Sequence, residues 1–163
     1  MLLFMLVFAL LTGAANAQVP NSPQTCRSVE ATLRVTPTSF RRGTQPTFSV
    51  ILKNVSDKPI RLLDVRNGRR SDLAHSYYEI VFEQNDLTVN NLPRAISDPG
   101  PVASADFFVL SPGAIAEALL STPADLSALP VGEYSAHVRI TLDPFGDAIP
   151  SCLSARTPFR VLR

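Results

Sequence analysis

The stretch Leu129 to Leu142, LPVGEYSAHVRITL, constrains the fold of this chain more than any other. Tyr134, Ala136, Val138, Ile140 and Leu142 alternate with Ser135, His137, Arg139 and Thr141. That is the period of a β-strand with one face in a core and the other in water. Pro130 and Gly132 break the chain just ahead of it. A tyrosine two residues past that glycine can turn its ring inward and return its hydroxyl to the backbone of the preceding corner.

Other segments supply neighbours for this strand. Glu30 to Thr36 alternates with Ala31, Leu33 and Val35 on one side, and Thr47 to Val55 places Phe48, Val50 and Leu52 on a core face. Ile60 to Val65 reads as a third strand. Ser76 to Gln84 reads as a fourth, with Tyr78, Ile80 and Phe82 inward and Glu79 and Glu83 outward in solvent. Between those two lies Arg66-Asn67-Gly68-Arg69-Arg70, where Asn-Gly favours a tight turn because both residues accept positive φ, so a hairpin tip is expected. Asp86 to Val102 reads as loop with one short edge strand. Strand patterns resume at Ala105 to Leu110, Ala114 to Leu120 and Ala155 to Leu162, while Thr122 to Leu129 is expected to cross between sheets. All 14 prolines fall beyond residue 19, spaced so that short strands are favoured over long helices. Seven to nine strands at turn-punctuated spacing, with no internal repeat, predict an all-β Greek-key β-sandwich.

The first 17 residues carry no charge, are almost wholly apolar from Leu2 to Leu11, and end in Ala15-Asn16-Ala17. A short apolar run followed by a small-x-small site reads as a signal peptide cut before Gln18. Residues 18–29 then form an N-terminal tail and 30–163 the domain, in a secreted or periplasmic protein. Cys26 and Cys152 are an even pair in an oxidising compartment, most simply one disulfide; a metal site is the weaker alternative, because the two cysteines and two histidines lack ligand spacing.

Gly132-Glu133-Tyr134-Ser135-Ala136 resembles the Gly-x-Tyr-x-Cys run at the start of strand F in immunoglobulin-like sandwiches, with Ala136 where the inter-sheet cysteine would stand. Together with Asn54-Val55-Ser56-Asp57-Lys58-Pro59-Ile60 and Ser111-Pro112-Gly113, the chain resembles the immunoglobulin-like domains of exported bacterial proteins. It is also similar to the bacterial intracellular proteinase inhibitor family, as an uncharacterised subgroup. The resemblance spans most of Ala31 to Leu142 and implies a fold; it supplies no inhibitory residues. In such a sandwich the first and last strands often run parallel and adjacent, as a Cys26–Cys152 bond would need.

Searching for chemistry gives less. There is no Gly-x-Ser-x-Gly elbow, phosphate cradle, zinc motif or basic-aromatic stretch for nucleic acid. His75 and His137 read as surface histidines, and Glu79 and Glu83 as solvated. Asp143-Pro144-Phe145-Gly146-Asp147 is too poor in ligands for a calcium loop. Asn54-Val55-Ser56 fits the glycosylation triplet, which matters only in a eukaryotic source. Charge is unevenly spread: residues 27–70 carry ten Lys or Arg against three Asp or Glu, 71–151 two against eleven, and 152–163 three against none. Either the two signs face each other across the fold, or Arg34, Arg156 and Arg160 share a basic edge while Arg66, Arg69 and Arg70 crown a hairpin.

These observations lead to a non-enzymatic binding or accessory module with no cofactor and no metal. Its loops would contact a protein or an anionic envelope component, such as an acidic protein or lipid head groups. The candidate contacts are Arg66, Asn67, Arg69 and Arg70 at one tip and Asp143, Phe145 and Asp147 ahead of Cys152. The alternatives are a protease inhibitor acting through a disulfide-anchored loop at Phe145 to Ser151, and a hydrolase built around His75 or His137.

Overall fold

The computed structural model describes residues 27–70, 73–90, 92, 101–120, 124–142 and 151–163. The expected signal peptide, Cys26, and Asp143, Phe145 and Asp147 lie outside them. The strands are β1 (Val29–Thr36), β2 (Ser39–Arg41), β3 (Thr47–Asn54), β4 (Ile60–Leu63), β5 (Tyr78–Gln84), β6 (Leu87–Thr88), β7 (Phe107–Leu110), β8 (Ile115–Leu120), β9 (Gly132–Thr141), β10 (Ser151–Leu153) and β11 (Thr157–Leu162). One short helix, α1 (Ala74–Tyr77), precedes β5. The strands form a three-stranded sheet, β1-β3-β8, a six-stranded sheet, β2-β11-β9-β5-β6 with β10 also on β9, and a β4-β7 pair. Among the described residues no helix is long and apolar enough to cross a membrane.

The inward positions of both larger sheets bury into one core. Leu33, Phe48, Val50, Leu52 and Leu120 come from the three-stranded sheet, and Tyr78, Phe82, Ala136, Val138, Ile140, Phe159 and Val161 from the six-stranded one. Phe48 meets Phe82 edge-on, ring centroids 5.8 Å apart, and Phe82 meets Phe159 in the same way at 6.1 Å. Each such side chain removed from water contributes about 1.5–3 kcal/mol, which is why the period-2 pattern dictates which face turns inward. Tyr134 stacks on Phe159 at 5.4 Å and donates its Oη hydrogen to the carbonyl of Pro130 at 2.9 Å. The corner expected from Pro130, Gly132 and Tyr134 therefore forms.

Eleven strand segments appear among the described residues against the seven to nine expected, the additions being β2 and β10. The ladders are interrupted twice. The first break lies between β3 and β4, opposite the turn between β7 and β8. Asn54 closes it. Its side chain donates to the carbonyls of Lys58 (2.7 Å) and Leu110 (2.8 Å) and accepts from the Ser56 amide (2.9 Å) and hydroxyl (2.7 Å). Asn54 is 0 % exposed, with its amide nitrogen committed to two carbonyls. A glycan on that nitrogen is incompatible with this fold, so the Asn54 triplet is a turn signal.

The second break separates β10 from β11, both antiparallel to β9. Cys152 faces Ile140 and Thr157 faces Ala136, a shift of register by one residue that marks a bulge. The Ser154 hydroxyl bridges it, accepting from the Val138 amide at 2.9 Å and donating to the Ala155 carbonyl at 2.9 Å.

Two expectations are corrected, and the two readings of the charge asymmetry are distinguished. β1 does not pair with β11: it pairs antiparallel with β3, and it is β2 that runs parallel to β11, with Ser39 opposite Arg160. Pro37 has no amide hydrogen to continue a ladder, and past it the chain changes sheets. No hairpin joins the third and fourth predicted strands either, since β4 pairs with β7 and β5 with β9. Asn67 does take a left-handed φ of 55°, but within a 3-10 turn, Arg66–Gly68, that is followed by α1. Arg34, Arg156 and Arg160 do not gather into a basic edge: Arg34 lies 3.9 Å from Glu117, Arg156 pairs with Glu83 and Asp86, and Arg160 with Glu133. The two signs of charge face each other locally.

Candidate functional site

Two polar constellations stand on this frame. The first follows β4, where Leu62, Leu63 and Val65 are buried and carry Asp64 into a largely enclosed position. Arg66 grips that carboxylate with two N–H groups, Nε to Oδ1 at 2.7 Å and Nη2 to Oδ2 at 3.0 Å, while its backbone amide donates to Oδ1 at 3.2 Å. The bonds from Arg66 hold the Asp64 carboxyl below the usual carboxylate range, outweighing the opposite push of burial. Arg66 also lies over the Phe108 ring at 3.9 Å.

Arg69 approaches the same carboxylate at 3.6 Å with its side chain 63 % exposed, so one acid faces two guanidinium groups. Arg70 pairs with Asp106, whose carboxylate also accepts from the Ala103 amide. Arg61 donates to the Ser104 carbonyl and hydroxyl and lies over Phe107. The sequence-predicted residues Arg66, Asn67, Arg69 and Arg70 thus lie on one turn, with Asn67 and Arg69 exposed. The second predicted group, Asp143, Phe145 and Asp147, lies outside the described residues. Cys152 is buried on β10, and its proposed partner Cys26 is likewise outside them.

The second constellation occupies the outward face of the six-stranded sheet, which sequence alternation assigned to solvent. Cross-strand pairs set Glu79 opposite Arg139, Val81 opposite His137 and Glu83 opposite Ser135. The bulge at Ser154 brings Leu153 and Arg156 to this same face. Arg156 reaches Glu83 at 2.7 Å and Asp86 at 2.6 Å, and Arg139 reaches Glu79 at 2.7 Å. Covered in this way, Glu83 is 8 % exposed and His137 only 7 %.

The surface histidine and solvated glutamate of the sequence reading are therefore both buried. Sequence reasoning missed the arrangement because it depends on strand pairing: Arg156 reaches Glu83 only across β9. Val81, Glu83, Thr88, His137, Arg139, Leu153, Ser154 and Arg156 line a pocket of about 270 Å³.

His137 Nδ1 lies 3.9 Å from Glu83 Oε1, beyond hydrogen-bond reach. Burial lowers the imidazole pKa, with Arg156 and Arg139 acting in the same direction and Glu83 opposing them, so the ring is neutral at pH 7. The Ser154 hydroxyl already donates to Ala155, which leaves it unsuited to attack a substrate. His75 sits on α1 and does not line the pocket. Among the described residues no three His, Cys, Asp or Glu side chains group so as to hold a metal ion. No protein-family model matches the chain, and no curated protein matches it.

Proposed function

We propose that this chain is an exported, non-enzymatic binding module on an immunoglobulin-like Greek-key sandwich, and that its Arg66–Arg70 turn contacts an anionic partner. The sandwich reading is supported by the core shared between the two larger sheets and by the Tyr134–Pro130 corner. Export is supported by the uncharged apolar leader and Ala15-Asn16-Ala17.

One observation carries the binding reading. A single enclosed carboxylate, Asp64, orients both Arg66 and Arg69, fixing the turn while Arg69 remains open to solvent. A guanidinium held in place beforehand loses less entropy on meeting a carboxylate or phosphate.

Arg69→Ser is the clean test, because it leaves the Asp64–Arg66 bond in place. Poly-glutamate and vesicles of anionic lipid serve as probes across a salt series. The substitution should weaken binding by about two- to fivefold, the scale of one exposed charge pair, and flatten its salt dependence. Binding to poly-glutamate alone identifies an acidic protein as partner, and binding to vesicles alone identifies lipid head groups. Equal affinity of variant and parent removes the turn from the interface.

The His137 pocket supports hydrolysis as a second reading. With Ser154 committed, such a reaction would need a water activated by His137, and His137→Ala should abolish turnover of ester or peptide substrates.

A further inference from the structure

His137 carries a polar ring that the fold encloses without pairing. Its side chain is 9 % exposed, yet neither ring nitrogen has a hydrogen-bond partner among the described residues, and Glu83 Oε1 stands 3.9 Å from Nδ1. No fully enclosed side-chain nitrogen or oxygen among them lacks a partner, so both nitrogens open onto space that a small molecule can reach. His137 lines the pocket of about 270 Å³ on the outward face of the six-stranded sheet. A buried polar group without a partner in the protein marks a place where something else supplies one.

The lining selects the occupant. A neutral imidazole has one N–H donor and one bare nitrogen that accepts, and the Glu83 carboxylate favours the tautomer with its hydrogen on Nδ1. An anion such as phosphate offers acceptors alone and an ammonium group donors alone, so neither satisfies both nitrogens. Formal charge around the ring is already matched. Arg156 pairs with Glu83 and Asp86, and Arg139 with Glu79, so an entering ion would have to displace a partner in place.

A hydroxyl accepts and donates through a single oxygen. One oxygen about 2.8 Å from each atom spans the separation between Nδ1 and Glu83 Oε1, accepting from the first and donating to the second. An amide divides those roles between two atoms and cannot. Thr88, exposed at the pocket, adds a hydroxyl of its own, while Val81 and Leu153 add apolar surface. The volume falls below the range of about 300–1,000 Å³ that holds drug-sized ligands, which limits the occupant to about one ring.

We propose that this pocket binds a neutral sugar ring, one hydroxyl of which bridges His137 Nδ1 and Glu83 Oε1 while a second meets Thr88. The site requires no reaction, unlike the hydrolytic reading of the same pocket, and it is independent of the Arg66–Arg70 turn.

The test uses the full mature chain and the methyl glycosides of glucose, galactose, mannose and N-acetylglucosamine, with inorganic phosphate and methylammonium as controls. At least one glycoside should shift the amide resonances of Val81, His137 and Leu153 saturably, and should be recovered uncleaved. His137→Phe keeps the buried ring but removes both nitrogens, and should weaken that binding about tenfold or more, the loss of two hydrogen bonds. Thr88→Val, on the surface and harmless to the core, should weaken it about fivefold and decides the matter should His137→Phe fail to fold.

No shift from any of the four glycosides overturns the proposal, as do shifts centred away from the pocket or parental affinity in a folded variant. Phosphate or methylammonium binding in the pocket as tightly as the sugar would overturn its neutral chemistry, and cleavage of the glycoside would make the site an enzyme's. Arg69→Ser against poly-glutamate reads the turn alone, so either proposal fails without the other.

Discussion

Asn54→Ala tests the first ladder break, and its cost follows from where each hydrogen bond ends. The bonds to Ser56 and Lys58 reach groups at the surface, which water can satisfy once the amide is gone, so each contributes only about 0.5 kcal/mol. The bond to the Leu110 carbonyl is enclosed, and stranding that acceptor costs about 1–3 kcal/mol. The total is about 2.5–4.5 kcal/mol, or about 5–18 °C in Tm for a domain of this size.

Asn54→Asp is the sharper variant. It keeps the shape and the two acceptor bonds from Ser56, but turns oxygen lone pairs toward the carbonyls of Lys58 and Leu110. It should be less stable than Asn54→Ala at neutral pH, and part of the difference should return on acidification as the carboxyl protonates. Urea unfolding followed by circular dichroism gives all three stabilities. An Asn54→Ala variant within about 0.5 kcal/mol of the parent, or Asn54→Asp more stable than Asn54→Ala, would refute the view that this side chain holds the break closed.

Further outcomes follow from the other contacts. Ser154→Ala strands the buried Val138 amide and should lower the urea midpoint by about 1–3 kcal/mol equivalent at unchanged m; a shift within error removes Ser154 as the bridge. His137 has a folded pKa below its unfolded value, so the unfolded chain binds the proton more readily. Its stabilising contribution is complete above pH ~6.5 and is lost as pH falls through the folded pKa. His137→Gln should therefore reduce the loss of stability on mild acidification, and an identical pH profile would refute this. Mass spectrometry of the denatured, unreduced mature protein should find no alkylatable thiol if Cys26 and Cys152 are bonded. Two alkylated cysteines would end that proposal.

Legibility in the sequence depended on whether a signal was local. The inward residues of β1, β3, β5, β9 and β11 could be read because alternation reports burial directly, and the Tyr134 corner because its parts lie within five residues. The Asn67-Gly68 pair reported positive φ correctly but not strand pairing, which depends on Phe107 to Leu110 far along the chain. His137 and Glu83 occupy alternate, outward positions, yet burial of that face comes from Leu153 and Arg156, placed there by the bulge. Charge asymmetry along the chain vanished in space because antiparallel pairing sets distant segments side by side, as with Arg160 and Glu133.

Both candidate sites lie beside an interrupted ladder, and the reason is energetic. A break in a buried sheet leaves amides and carbonyls without partners, at a cost of about 1–3 kcal/mol each, unless a side chain replaces the missing strand. Asn54 does so at one break and Ser154 at the other. With the backbone satisfied, the chain is released from strict alternation. Past Asn54, β4 leads Asp64 to the Arg66–Arg69 turn; past Ser154, Arg156 joins Leu153 on the outward face and closes over Glu83. An uninterrupted ladder would have put Leu153 and Arg156 on opposite faces. Asn54 and Ser154 are thus the residues that make each break tolerable.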